Sequence, residues 1–409
     1  MPPESYRARY VFPVSSPPIA DGVVTIDEGR IVSVGTRRES SAPAPVDLGN
    51  VAIIPGLVNA HTHLEFSDLA HSLGEPGLPF PEWIRRVVAF RRSNPHRDAK
   101  AAVAQGLREA VATGTTSLGD INTLGTGSGE PASAPEGTSQ TSGVVFHELI
   151  GLRRERVEPI NALARELIAS PSPLSGWTVG LSPHAPYTVH PEWLARVVEM
   201  AASALTPIAM HLAESREELQ LLASGEGPFV ELLKSVGAWD ATAIPRGSRP
   251  LDYLHLLARA PRAIVVHGNY LDADEIAFVA QLRSRLTVVY CPRTHAYFGH
   301  ARHPLPQLLA AGAAVAIGTD SRASNPNLKL FEELQFVADV FPELSLAAIL
   351  ELGTVNGARA LGFDDRGTLS PGQRADLALV QLPDTASGDP HDLLFDAVSR
   401  ACRWDTAPV

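Results

Sequence analysis

Short continuous apolar runs, rich in β-branched residues, alternate along most of the chain with alanine-rich amphipathic stretches. The runs are Ile53–Ala60, Thr115–Asp120, Val144–Gly151, Thr178–Pro183, Ile208–His211, Ala263–His267, Leu286–Tyr290 and Ala314–Gly318. Between them lie stretches with helical spacing, such as Ala99–Ala112, Glu192–Ala204, Asp272–Leu282 and Leu328–Val340. Strands that are apolar throughout, separated by helices, predict a parallel sheet covered on both faces. Eight such units between residues 55 and 365 fit a (β/α)8 barrel better than an open sheet. A doubly wound sheet is the alternative, because strand order is not encoded in this pattern.

The two ends have a different rhythm. Tyr6–Phe12, Gly22–Ile26 and Arg30–Val34 are short alternating runs broken by Gly and Pro, and Gly367–Leu369 and Ala375–Leu382 form a second set around Pro371-Gly372. They predict one small β-domain made of residues 1–54 and 366–409, flanking a barrel of residues 55–365. Asn122–Gly143, rich in Gly, Ser, Thr, Pro and Glu, is expected to be a long mobile loop after the second strand. The chain ends soon after Trp404 without an evident last strand, so part of the small domain is expected to be missing.

Composition narrows the function. Among 409 residues, 44% are hydrophobic and 19% charged, which suits a packed globular interior. A net charge of −11 gives no general pull toward nucleic acid or acidic lipid. The two cysteines, Cys291 and Cys402, make neither a disulfide framework nor a four-cysteine zinc site, and Cys291 reads as a small buried hydrophobe. The amino terminus lacks a signal-peptide pattern, and no stretch has transmembrane length. The expectation is a cytoplasmic protein with a small-molecule substrate and no nucleic-acid or membrane partner.

The chemistry lies in the histidines. His61 and His63 end the first run, and alternate strand residues point the same way. His211 ends the fifth run, His267 the sixth, and Asp320 the eighth. In a barrel these carboxyl ends share one face, where active sites of the fold sit. Imidazoles and a carboxylate converging on a water-accessible point make a catalytic metal site. Rival motifs fail: there is no Walker loop, and Gly127-Ser-Gly129-Glu-Pro-Ala132 has no helix to follow it.

Pro55-Gly-Leu-Val-Asn-Ala-His61-Thr-His63, His211-Leu-Ala-Glu214, His267-Gly268 and Gly318-Thr-Asp320-Ser321 resemble, in order, the first, fifth, sixth and eighth strand signatures of the metal-dependent amidohydrolase superfamily. The resemblance spans about residues 50–380 and implies a (β/α)8 barrel with a small β-sandwich domain from both termini. Binuclear members bridge their metals with a lysine ending the fourth strand, but this strand, Thr178-Val-Gly-Leu-Ser-Pro-His184, has none. A mononuclear centre follows, one divalent ion (zinc first, iron second) on His61, His63, His211 and Asp320. The resemblance is closest to the branch holding S-adenosylhomocysteine, guanine and aminodeoxyfutalosine deaminases and triazine hydrolases; a homodimer is expected only from this resemblance.

That branch implies a deaminase of an aminopurine-type heterocycle. Aminodeoxyfutalosine, an intermediate of menaquinone synthesis, is the first candidate substrate; adenosine-like and S-adenosylhomocysteine-like nucleosides come next. Cleavage of a triazine C–Cl bond or an acyclic amide is the alternative, and a non-enzymatic barrel the remote one. Glu214 would carry the proton as general acid and base, His267 would orient the water, and Asp320 would take its proton. A dipole-stabilised carboxylate at a helix start is the plainer reading of Glu214. His184 and Glu65 are candidate substrate contacts, Glu65 alternatively pairing with an arginine. Phe80, Trp83, Arg153 and Arg154 are candidates for an aromatic wall and an anion clamp. After the seventh strand, branch members often read Cys-Pro-x-Ser-Asn, whereas this chain reads Cys291-Pro-Arg-Thr-His295-Ala-Tyr-Phe-Gly-His300. His295 thus takes the asparagine's place as a candidate contact, and the run looks most like aminodeoxyfutalosine deaminases.

Overall fold

The computed structural model describes residues 3–38, 44–123, 141–172, 176–384 and 388–396. Most of the Asn122–Gly143 segment expected to be a loop, and the end beyond 396 with Cys402 and Trp404, lie outside them.

The terminal strands form one six-stranded sheet. It contains β1 (Glu4–Val11), β2 (Ile19–Asp27), β3 (Arg30–Thr36), β4 (Val46–Asp47) and β5 (Val51–Pro55), and its far edge is β14 (Leu377–Gln381). The order is β14-β5-β1-β2-β3, with β4 beside β1. The sheet curls: the Ile31 amide donates to the Gln373 carbonyl and the Ala375 amide to that of Gly29, so β3 meets the segment leading into β14. Ala8, Val11, Val24, Ile31, Ile53 and Leu369 form its core.

The barrel follows as β6 (Leu57–Thr62), β7 (Thr115–Asn122), β8 (Ser142–Leu149), β9 (Trp177–Pro183), β10 (Ile208–Leu212), β11 (Ala263–His267), β12 (Leu286–Tyr290) and β13 (Ala314–Ile317). All neighbours are consecutive and parallel. The ring closes where Thr62 bridges Asp320, the Asp320 amide donating to the His61 carbonyl at 3.1 Å. Val58, Ile121, Val144, Phe146, Ala209, Ile264, Val266, Val289, Cys291 and Ala316 fill the interior.

One expected strand divides in two. The run Ile53–Ala60 breaks at Gly56: Pro55 still pairs with Leu377 of the terminal sheet, and Leu57 opens the barrel. Both halves are buried, so hydropathy shows no seam. Glycine is required at the crossing, since a Cβ there would meet the Thr116 side chain at 2.4 Å.

The helices match their apolar faces. In Pro191–Ala204, Trp193, Leu194, Val197, Val198 and Ala201 are buried at helical spacing, with Pro191 in the first turn. Truncating a residue like Trp193 would cost about 3–5 kcal/mol. Asp272 caps Ala273–Gln281 through a reciprocal capping box with Glu275. The helix expected from Leu328 starts at Leu330, with Lys329 before it in extended backbone, and the Leu328 amide donates to Glu109 Oε1 at 2.9 Å.

Candidate metal centre

The barrel gathers His61, His63, His211 and Asp320 on the face where its strands end. Single ligand nitrogens of the three histidines lie within 4.8 Å of one another. Asp320 Oδ1 is 3.6 Å from His61 Nε2 and 3.5 Å from His63 Nε2. His61 Nε2, which faces Asp320, is buried and has no hydrogen-bond partner, which suits a nitrogen meant for an ion. Burial pushes the imidazoles of His61, His63 and His211 below their usual range, so they are neutral ligands at pH 7. Three imidazoles and one carboxylate fit a single divalent ion of the zinc or iron kind.

Local backbone places these side chains. Asn59 accepts the Thr319 amide at 3.1 Å and donates to Thr319 Oγ1 at 2.8 Å, tying the eighth strand end to the first. Gly318 lets that strand approach, because a Cβ there would sit 2.7 Å from the His61 carbonyl oxygen. Ala213, His267 and Asp320, where β10, β11 and β13 end, have φ of 54°, 69° and 56°. Left-handed backbone costs a residue with a Cβ about 1–2 kcal/mol, so the surrounding contacts must hold it. Ser324 Oγ donates to Asp320 Oδ2 at 3.3 Å and lies 3.0 Å from Thr294 Oγ1.

Beside the cluster, Glu214 Oε1 is 3.2 Å from His267 Nε2. Burial first, then the nearby Asp320 and Glu218, push the Glu214 carboxyl well above its usual value. A carboxyl raised in this way is of the kind that serves as a proton donor. Glu218 accepts the backbone amides of Ala213 at 2.8 Å and Glu214 at 3.0 Å, and Asn269 Nδ2 donates to the Glu214 carbonyl at 2.9 Å.

The candidate substrate contacts fare unevenly. His184 is brought in, its ring 5.1 Å from that of His211. Its Nδ1 is 2.8 Å from Thr188 Oγ1, whose hydrogen goes to the Ala185 carbonyl, so Nδ1 donates and Nε2 is left as acceptor. Glu65 is buried and takes the arginine-pairing alternative, with Arg91 Nη2 at 2.6 Å and Thr123 as second donor. Trp83 stacks on Phe80 and donates Nε1 to the Ala323 carbonyl at 3.1 Å, three residues after Asp320. His295 packs edge-on against Tyr290 at 5.5 Å and His303 at 5.7 Å. Arg153 is not gathered: the turn after β8 carries it outward, half exposed and paired with Glu155 at 2.6 Å. Arg154 likewise pairs with Glu192 at 3.1 Å.

Residues the motifs did not point to also reach this face. Glu148, near the end of β8, has a buried side chain, its Oε1 3.8 Å from His184 Nε2, and burial of the carboxyl pushes it up to about 8. The available signal is period two, since Glu148 follows the inward-facing Val144 and Phe146. Asp120 accepts the Leu64 amide at 2.9 Å and is likewise pushed up to about 8 by burial. Glu218 is foreshadowed by Ser215-x-x-Glu218, a helix-start signature.

A (β/α)8 barrel with a three-histidine, one-carboxylate mouth defines a metal-dependent hydrolase. Residues 52–403 match the amidohydrolase family, and the chain belongs to that family. It is 30% identical over 417 residues to a 5-methylthioadenosine/S-adenosylhomocysteine deaminase of Moorella thermoacetica, covering 98% of this chain and 90% of that protein. An aminodeoxyfutalosine deaminase of Deinococcus radiodurans is 30% identical over 360 residues, covering 83% and 81%. The fold matches the Helicobacter pylori aminofutalosine deaminase solved with methylthio-coformycin, with a TM-score of 0.82, 22% identity and 97% of each chain covered. The chain is a hydrolase of C–N bonds other than peptide bonds.

Proposed function

We propose that this hydrolase deaminates an aminopurine nucleoside, aminodeoxyfutalosine first and adenosine-like or S-adenosylhomocysteine-like nucleosides next. The supporting observation is the Glu214–His267 pair, 3.2 Å apart, set beside three neutral imidazoles and Asp320. Two of the similar proteins carry deaminase names for these substrates. His61, His63, His211 and Asp320 would hold one divalent ion, zinc rather than iron in our reading, which when bound brings water within reach of deprotonation near pH 7.

Glu214 delivers its proton to the ring nitrogen next to the carbon that bears the amine. His267 orients the attacking water. Asp320 accepts one proton of that water and passes it to the departing amine, and Glu214 recovers its own proton from the hydroxyl left on the ring, so that the water oxygen stays as the ring carbonyl and the amine departs as ammonia. His184 Nε2, an acceptor, meets a hydrogen donor on the substrate. The reading carries a cytoplasmic location and a homodimer, tested by fractionation and by light scattering.

Metal-loaded protein incubated with aminodeoxyfutalosine, 5-methylthioadenosine, S-adenosylhomocysteine, adenosine and guanine is followed by product mass and ammonia, with Asp320→Asn as the blank. Release of ammonia from one nucleoside, absent in the variant, is expected. Silence on all of them with stoichiometric metal overturns the reading in favour of amides or halogenated rings.

A further inference from the structure

We infer that His303 is a positioning residue for His267, which rests on the deaminase reading above. His267 ends β11 at φ 69° and is followed by Gly268 at φ 62°, two left-handed residues in succession. Such a turn points the imidazole at Glu214 only if its peptide planes are held. One side is tied to the neighbouring strand, the Gly268 amide donating to the Leu212 carbonyl at 3.0 Å. On the other side, His303 Nε2 donates to the His267 carbonyl at 2.9 Å.

His303 is itself fixed. Its ring is buried and stacks on Tyr290, the last residue of β12, at 3.9 Å and 22°. His295 closes on it edge-first, with ring centres 5.7 Å apart. A carbonyl only accepts, so Nε2 carries the hydrogen and the ring is the single tautomer that can make this bond. Burial pushes its imidazole down to about 3, so it stays neutral across the working range. The histidine-rich segment after β12 therefore supports His267 from behind. Without that donor the His267–Gly268 peptide keeps only the tie through its amide, so its plane tilts more readily and Nε2 is held less closely to Glu214.

The test compares H303Q, whose amide nitrogen can take the place of Nε2, with H303L and H303N, which lack a donor there. In metal-loaded enzyme, H303L and H303N should lose about 10–100-fold in kcat, with KM within about threefold and metal content unchanged. H303Q should stay within about threefold of the wild type. Nitrogen-15 NMR gives a second reading: the His267 imidazole resonances should move in H303L and H303N and hold in H303Q. Wild-type kcat in both H303L and H303N, or H303Q as slow as they are, overturns the inference. Wild-type protein that turns over no nucleoside would sink the deaminase reading instead. The NMR comparison then decides, and unmoved His267 resonances in H303L and H303N overturn the inference.

Discussion

His211 donates its Nδ1 hydrogen to the backbone carbonyl of His184 at 3.0 Å. A carbonyl accepts only, so the bond fixes the tautomer and leaves His211 Nε2 for the ion. One residue of the fourth-strand loop thus has two roles in our proposal: its main chain orients His211, and its side chain is the proposed substrate contact.

His184→Ala separates those two roles. The carbonyl survives the substitution, so metal content should match the wild type, whereas kcat/KM should fall about 10–100-fold from the lost hydrogen bond. His211→Ala should lose the metal as well. Elemental analysis alongside steady-state kinetics distinguishes the two patterns.

Glu214→Gln keeps the shape of the side chain and removes the transferable proton. The expected result is a drop in kcat of about 10²–10⁴, with one equivalent of metal retained. A variant with wild-type kcat would remove Glu214 from the proton path.

The histidines and Asp320 were legible because each ends an apolar run, and a barrel brings run ends to one face. Glu148 was not, because a single carboxylate inside a strand looks like an ordinary polar interruption until its neighbours Val144 and Phe146 are known to face inward. The pairing of Glu65 was equally hidden: Arg91 sits on the helix Phe80–Ser93, and nothing local selects it over a substrate. The split at Gly56 escaped because two sheets bury one continuous run.

Stability should depend on pH through the buried carboxyls. Burial raises Glu148 and Asp120 from their ordinary values to about 8, so the folded chain holds these protons more tightly than the unfolded chain does. Their unfavourable contribution is absent below the unfolded values near pH 4 and grows as pH rises toward about 8. Glu148→Gln should therefore unfold less readily than the wild type at pH 8–9, by about 1–2 kcal/mol, and match it near pH 5. Urea titrations at several pH values check this, and a variant less stable at pH 8.5 would contradict it.

Half-buried Arg293 and fully buried Glu333 form an ion pair behind the eighth-strand loop, Nε to Oε1 at 2.6 Å. Asn325 Nδ2 joins them, 2.6 Å from Glu333 Oε1 and 2.6 Å from the Thr319 carbonyl. Arg293→Met should cost about 3–5 kcal/mol by leaving the Glu333 carboxyl without its charge partner. R293M/E333L should recover much of that in equilibrium unfolding. If the single variant proves as stable as the wild type, the pair contributes little.

Asp320 joins the barrel in two ways, its amide bonded to the His61 carbonyl and its carboxylate facing the His61 ring. The proposed ion site therefore straddles the join in the staved ring, between its first and last staves. A bound ion acts there as a clasp, linking two segments far apart in sequence and removing open-ring conformations from the unfolding ensemble. Chelation should loosen that join first: amide exchange at Asp320 should quicken before that of the interior strands, making the seam a gauge of occupancy.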